Sequence, residues 1–167
     1  MVDIWNRLAS DVPDIRLKVA CSNTLYGLPE YDWVDQLKTK LLQMDRVVDL
    51  GILPHHQIVQ EIRSSYLHLY PSMIPDTFGL GAIEALAGGT PTVAFNVGGN
   101  VGKLLNDTNG GRLVQPNSIS NFIDEVKSIL KDPTGWETMS IGGKSVLDSV
   151  KYDWKSVAAK WIQVLGG

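Results

Sequence analysis

Apolar positions along the chain switch between helical spacing and short extended blocks. Ile4, Trp5 and Leu8 predict an amphipathic helix over residues 3–10, closed before Pro13. Residues 16–21 (Arg-Leu-Lys-Val-Ala-Cys) alternate and then turn wholly apolar, which predicts a strand that becomes buried. Trp33, Leu37, Lys40 and Leu41 fall about one turn apart and predict a helix over 30–43. A strand over 46–50 ends at Gly51, and a helix over 55–65 carries Ile58, Ile62 and Tyr66 on one side. The block Leu67-His-Leu-Tyr70 is the next strand, halted by Pro71.

The stretch that follows is the densest in turn and cap signals. Thr77 is placed to cap a helix over 78–87, Gly88-Gly89 ends it, and 91–95 returns to a strand. Within that helix Leu80, Ile83 and Ala87 share one face, and Glu84 lies at its margin. Asn96-Val-Gly-Gly99 is a turn, 101–105 a short helix, and 107–111 a second turn. A short strand over 112–115 precedes three helices over 119–130, 134–150 and 154–164. Strands alternating with helices predict a single α/β domain, a Rossmann-like doubly wound parallel sheet.

Composition narrows the function classes. The 167 residues carry a net charge of −3, which argues against a nucleic-acid partner. Cys21 is the sole cysteine, so no internal disulfide and no cysteine-based zinc site is available. That usage suits a reducing, cytoplasmic setting. No apolar run reaches the length of about 20 residues that a membrane span needs. His55 and His56 read as the surface start of a helix, without the acidic or further histidine partners of a metal site, and His68 reads as packed within its strand.

Candidate chemistry gathers at residues 76–84. Free backbone N–H groups over 78–81, at the positive end of a helix, would form an anion site suited to a nucleotide diphosphate. Gly79 and Gly81 would let a ligand approach the backbone. The plain reading stands beside this one: Thr77 as a cap only, Asp76 as a favourable charge near the dipole, Glu84 as a surface residue. Gly98-Gly99 alone is an ordinary turn pair.

Pro71-Ser72, Phe78-Gly79-Leu80 between Asp76 and Glu84, and then Glu84-Ala-Leu-Ala-Gly-Gly-Thr-Pro91 together resemble the donor-site signature of retaining glycosyltransferases of family 4, which have the GT-B fold. Leu17–Ala20, Val47–Gly51, Gly98-Gly99, Gly111–Val114 and Tyr152–Trp154 extend the resemblance along most of the chain. Two positions depart from the pattern. Asp76 stands where the family has Glu, and Gly102 stands where the family has Glu three residues after the Gly-Gly turn.

The resemblance implies a metal-independent transferase that moves a sugar from a nucleoside diphosphate, a UDP-sugar rather than a GDP-sugar, to a hydroxyl acceptor. Glu84 would accept hydrogen bonds from the ribose hydroxyls, and Asp76 would hold hydroxyls of the donor sugar as the catalytic-site acid. Thr77, Phe78, Gly79, Leu80 and Gly81 would meet the donor. Gly51 and Leu53 would lie near the base, with Gly98 and Gly99 at the border. A glycan or lipid-linked glycan would be the acceptor, in O-antigen or other surface polysaccharide synthesis, with peripheral association at the inner face of the membrane. Two rivals are a non-catalytic sugar-nucleotide-binding module and a GT-B enzyme of another reaction, such as an epimerase.

The resemblance further implies that residues 1–167 are a C-terminal donor-binding domain truncated at its N-terminus and lacking the acceptor domain. In the strand order 3-2-1-4-5-6 the absent first strand is central. A gap is then expected between strands 16–21 and 67–70. It would be closed by direct pairing of those two, by a neighbouring chain, or by upstream residues; the last two are favoured.

Overall fold

The computed structural model describes residues 1–20, 32–145 and 154–165. Cys21, the predicted loop after it, the start of the helix over 30–43 and the end of the one over 134–150 lie wholly or partly outside these residues. The elements are α1 (Val2–Asp11), β1 (Leu17–Ala20), α2 (Asp32–Leu42), β2 (Val47–Gly51), α3 (His55–Arg63) and β3 (His68–Tyr70). They continue with α4 (Leu80–Gly88), β4 (Thr92–Phe95), α5 (Gly99–Thr108), β5 (Gly111–Val114), α6 (Ile119–Lys131), α7 (Pro133–Lys144) and α8 (Trp154–Leu165). Every strand pair is parallel, as the alternation of strands and helices requires.

β4 shows how the sequence builds the core. All four of its residues are buried, because helices cover both faces. Val93 and Phe95 enter a cluster with Ile4, Trp5 and Leu8 of α1 and Phe122, Ile123 and Val126 of α6. Ala94, between them, enters a second cluster with Ala82, Ile83 and Leu86 of α4 and Val101, Leu104 and Leu105 of α5. The period of two thus sends alternate side chains to opposite helical layers.

α1 is anchored at its C-terminal end by Arg46. The guanidinium donates to the carbonyls of Val12 (3.1 Å) and Ala9, groups the helix leaves unpaired. The Trp5 indole N–H donates to the Asp45 carbonyl at 3.0 Å, joining the same corner.

Two expectations change. α4 starts at Leu80 with Gly79 as its N-cap (φ 72°, ψ 45°), so Thr77 is not the cap. That shift leaves Leu80 55% exposed, and the buried residues of α4 are Ala82, Ile83, Ala85 and Leu86. α5 runs over ten residues rather than five, since Gly99 and Asn100 join its first turn and residues 106–108, expected partly in a turn, continue its last. The described strands form two sheets, β1–β2 and β3–β4–β5, so the break falls where a gap was expected, and direct pairing of β1 with β3, one of the expected closures, does not occur. On α8, Trp161 is 61% exposed.

Candidate donor-binding crevice

The site lies beyond the carboxyl ends of β3 and β4, where ligands sit in open parallel α/β sheets. Tyr70 closes β3, and the chain turns through 71–79 into α4. Asp76 organises this turn. Its Oδ1 accepts from the backbone N–H of Phe78 (2.9 Å) and of Gly79 (2.7 Å). Its Oδ2 accepts from the Tyr70 hydroxyl at 2.5 Å. The side chain of Asp76 therefore does the work expected of Thr77, because an Asp reaches N–H groups two and three residues on.

These bonds fix the protonation states. The Tyr70 hydroxyl and the two backbone N–H groups hold Asp76 below the usual carboxylate range. Burial, and then Asp76, push Tyr70 up to about 12, so it remains a donor. Since the folded value for Asp76 is lowered, the unfolded chain binds more protons in the acid range. Its contribution to stability is complete above the ordinary value of 3.8 and is lost as pH falls through the lowered folded value. Tyr70→Phe removes the first of the three donors. Thermal unfolding followed from neutral to strongly acidic pH should show the variant less stable than wild type at neutral pH, with the difference closing in acid. A difference independent of pH would show that Tyr70 acts by packing alone.

A second turn locks onto the first. Asp76 and Gly99 form a parallel bridge, the Asn100 N–H donates to the Asp76 carbonyl (2.9 Å), and the Asn100 amide donates to the Phe78 carbonyl (2.6 Å). A Cβ on Gly99 would stand 2.5 Å from the Asp76 carbonyl oxygen, so only glycine permits this approach. A Cβ on Gly79 would stand 2.5 Å from Cγ2 of Val101. The N-termini of α4 and α5 consequently converge. Their positive ends add at one place, where a diphosphate would be stabilised.

The N–H groups in that anion site differ from those expected. Phe78 and Gly79 give theirs to Asp76. The first intrahelical bond of α4 runs from the Ile83 N–H to the Gly79 carbonyl, so the N–H groups of Leu80, Gly81 and Ala82 precede the ladder. Gly98 has open space on its Cβ side and immediately precedes the first turn of α5.

One turn into α4, Glu84 is 18% exposed, at the margin of the buried face. Its Oε1 lies 2.7 Å from Nε2 of His55, at the start of α3. His55 follows the Gly51–Leu53 loop, so the pair ties that loop to the crevice. The loop itself is shaped by Gly51 (φ 62°), whose N–H donates to Asp49 Oδ1 at 2.8 Å. The His55 side chain is 72% exposed, and a pair this open contributes little net energy, about 0–1 kcal/mol. His55→Ala should therefore leave nucleotide affinity unchanged or raise it by up to about fivefold, by freeing Oε1. A tenfold loss in a binding titration would instead make His55 a donor contact.

Asp76 is thus joined directly to Gly99, Phe78 to Asn100 and Gly79 to Asp76, while Glu84 is joined through His55 to the segment that follows the Gly51–Leu53 loop. Thr77, Phe78 and Leu80 are exposed at the mouth. Sequence reasoning missed Tyr70, Asn100 and the pairing of His55. The signals were the last residue of a strand six positions before an acid, and an Asn directly after a Gly-Gly turn. His68, read as packed, has Nδ1 3.2 Å from Thr92 Oγ1, and burial lowers it to about 4, so it is neutral near pH 7. Among the described residues no cluster of His, Cys, Asp and Glu has the makings of a metal site.

A carboxylate, two helix N-termini and a glycine-rich turn beyond the ends of parallel strands form a candidate anion-binding crevice. Comparison with known proteins shows the family. The chain belongs to the glycosyl transferases group 1 family, whose pattern matches residues 2–145. It is 31% identical over 160 residues to a glycogen synthase of Mycobacterium tuberculosis, covering 95% of this chain and 36% of that protein. It is 34% identical over 128 residues to a D-inositol 3-phosphate glycosyltransferase of Mycolicibacterium smegmatis, covering 77% of this chain and 29% of that one. The chain thus spans about a third of the length of these relatives. Among solved structures, Anabaena HepE in complex with UDP-glucose superposes with a TM-score of 0.80 at 21% identity, over 99% of this chain and 43% of HepE. That likeness establishes the GT-B type of fold. No helix among the described residues is long and apolar enough to cross a membrane.

Proposed function

We propose that this chain is the nucleotide-sugar-binding part of a retaining, metal-independent glycosyltransferase, and that Glu84 receives the donor's ribose. The carrying observation is the Glu84 carboxylate, held at the crevice one turn behind the N–H groups of Leu80, Gly81 and Ala82. A carboxylate matches a vicinal diol, and the helix N-terminus matches a diphosphate. HepE, solved with UDP-glucose, supports a UDP-sugar donor.

Asp76 takes the sugar end. A carboxylate offers about four acceptor positions, and three are used by Tyr70, Phe78 and Gly79. One remains for a sugar hydroxyl. In the transfer, the bond from the anomeric carbon to the diphosphate oxygen breaks, and a bond to the acceptor hydroxyl oxygen forms on the same face. The acceptor's proton leaves with the diphosphate. The converging helix ends stabilise the charge that develops on that leaving group. The acceptor, a glycan or lipid-linked glycan in surface polysaccharide synthesis, would be met by a second domain outside residues 1–167, with the whole enzyme working at the inner face of the membrane.

The test is a donor screen on the full-length protein, with labelled UDP- and GDP-sugars and a lipid-linked acceptor, and NMR of the product's anomeric centre. Transfer from a UDP-sugar with retained configuration is expected. An inverted product, epimerisation without transfer, or donor binding without any product would refute the reading.

A further inference from the structure

Asn100 grips the turn over residues 76–79 at two points. Its backbone N–H donates to the Asp76 carbonyl at 2.9 Å, and its side-chain amide donates to the Phe78 carbonyl at 2.6 Å. These two carbonyls flank Thr77. A trans peptide group is planar, so the Phe78 carbonyl and the Gly79 N–H lie in one plane and point in opposite directions. The Asn100 amide holds the carbonyl end of that plane. Asp76 Oδ1 holds the N–H end at 2.7 Å.

This plane turns over at little steric cost. A peptide flip changes ψ of the residue before it and φ of the residue after it. The residue after it is Gly79, at φ 72°, and glycine adopts either sign of φ. In the flipped form the Gly79 N–H leaves Asp76, and the Phe78 carbonyl oxygen swings towards the carboxylate. Asp76 then keeps the Tyr70 hydroxyl and the Phe78 N–H and loses its third donor. The Phe78 N–H belongs to the preceding peptide plane and takes no part. The Asn100 N–H bond to the Asp76 carbonyl acts two planes earlier and does not oppose the flip.

We infer that Asn100 is a positioning residue for the donor sugar: its side-chain amide locks the Phe78–Gly79 peptide and so keeps the Asp76 carboxylate aimed at the sugar. The inference rests on the reading of Asp76 as the sugar-end acid. Asn100 acts through Asp76 and touches no reacting atom.

The chemistry of the amide matters here as much as its size. The group it meets is a carbonyl oxygen, so a donor is required. A carboxylate of the same shape only accepts. It would repel the Phe78 oxygen and attract the N–H at the other end of the plane, which favours the flip. Asn100→Ala removes the lock, and Asn100→Asp reverses it.

Two experiments test this. In the whole 167-residue chain, amide hydrogen exchange is followed by NMR at Gly79 and Phe78. Exchange at Gly79 should quicken by about tenfold in Asn100→Ala, the equivalent of one hydrogen bond, and by more in Asn100→Asp. Exchange at Phe78 should stay within about twofold of wild type in Asn100→Ala. In the full-length enzyme, Asn100→Ala should lower kcat by about tenfold and leave the affinity for UDP within about twofold, since UDP lacks the sugar that Asp76 holds. Four results would each overturn the inference: Gly79 unchanged in both variants, Gly79 and Phe78 released together in Asn100→Ala, Asn100→Asp milder than Asn100→Ala, or full kcat in Asn100→Ala. A wild-type enzyme that binds no UDP would refute the proposed function instead, and exchange at Gly79 would still decide whether the amide is a lock.

Discussion

Replacing Glu84 by Gln is expected to weaken nucleotide-sugar binding by about one to two decades while leaving the fold intact. The substitution keeps the shape of the side chain and removes the charge. One of its two ends becomes an N–H donor, which cannot accept from a ribose hydroxyl. A hydrogen bond to a charged group is worth roughly 1.5–3 kcal/mol, and each 1.4 kcal/mol is a factor of ten in affinity. The fold should not suffer, because the one bond lost is to an imidazole that is 72% exposed. Calorimetric titration of the full-length enzyme and its Glu84→Gln variant, alongside their melting curves, gives both quantities. Equal affinities would remove Glu84 from the site, and a collapsed melting temperature would recast it as structural.

The largest stability effect is expected from Phe122→Ala, about 3–5 kcal/mol. Phe122 is fully buried, and its ring lies 4.9 Å from that of Phe95, tilted by 51°. It sits where α6 meets the middle of the three-stranded sheet, in the cluster that also receives α1. Truncation loses the transfer energy of the ring, the tilted ring contact, and the packing of the cavity wall. β4 is paired on both sides, so it cannot shift to close the hole. Urea unfolding should show the midpoint falling with the slope unchanged. A loss under about 1 kcal/mol would mean that this cluster relaxes freely and is not the packed centre described above.

Much of this architecture is legible in the sequence because its elements are locally consistent. Ile4, Trp5 and Leu8 announce α1, and the four-residue blocks 17–20 and 92–95 announce their strands, because burial sets their periodicity. The start of α4 was misplaced for a specific reason. Thr77 and Asp76 are both good capping types, and only the three-dimensional path decides which oxygen meets which N–H. Gly79 sits in the left-handed region (φ 72°), which interrupts any right-handed run through 78, so the helix begins at Leu80. The length of α5 was hidden by Gly98-Gly99, which reads as a turn although Gly99 already belongs to the helix.

The candidate site was legible as a set of residues but not as a network. The spacing of Asp76 and Glu84 points to two acids near one helix start. It does not show that Tyr70 holds the first or that His55 holds the second, since those contacts cross 6 and 29 positions. The break between the sheets falls where the family resemblance implied a gap in strand order.

The central claim is that the Glu84 crevice receives a nucleoside diphosphate sugar. A crystal structure of the full-length enzyme with UDP-glucose tests it most directly. The account predicts both ribose hydroxyls within about 3.2 Å of the Glu84 carboxylate, with His55 displaced or sharing it. The diphosphate should lie against the N–H groups of Leu80, Gly81 and Ala82. A nucleotide bound elsewhere, with Glu84 still paired only to His55, would contradict it.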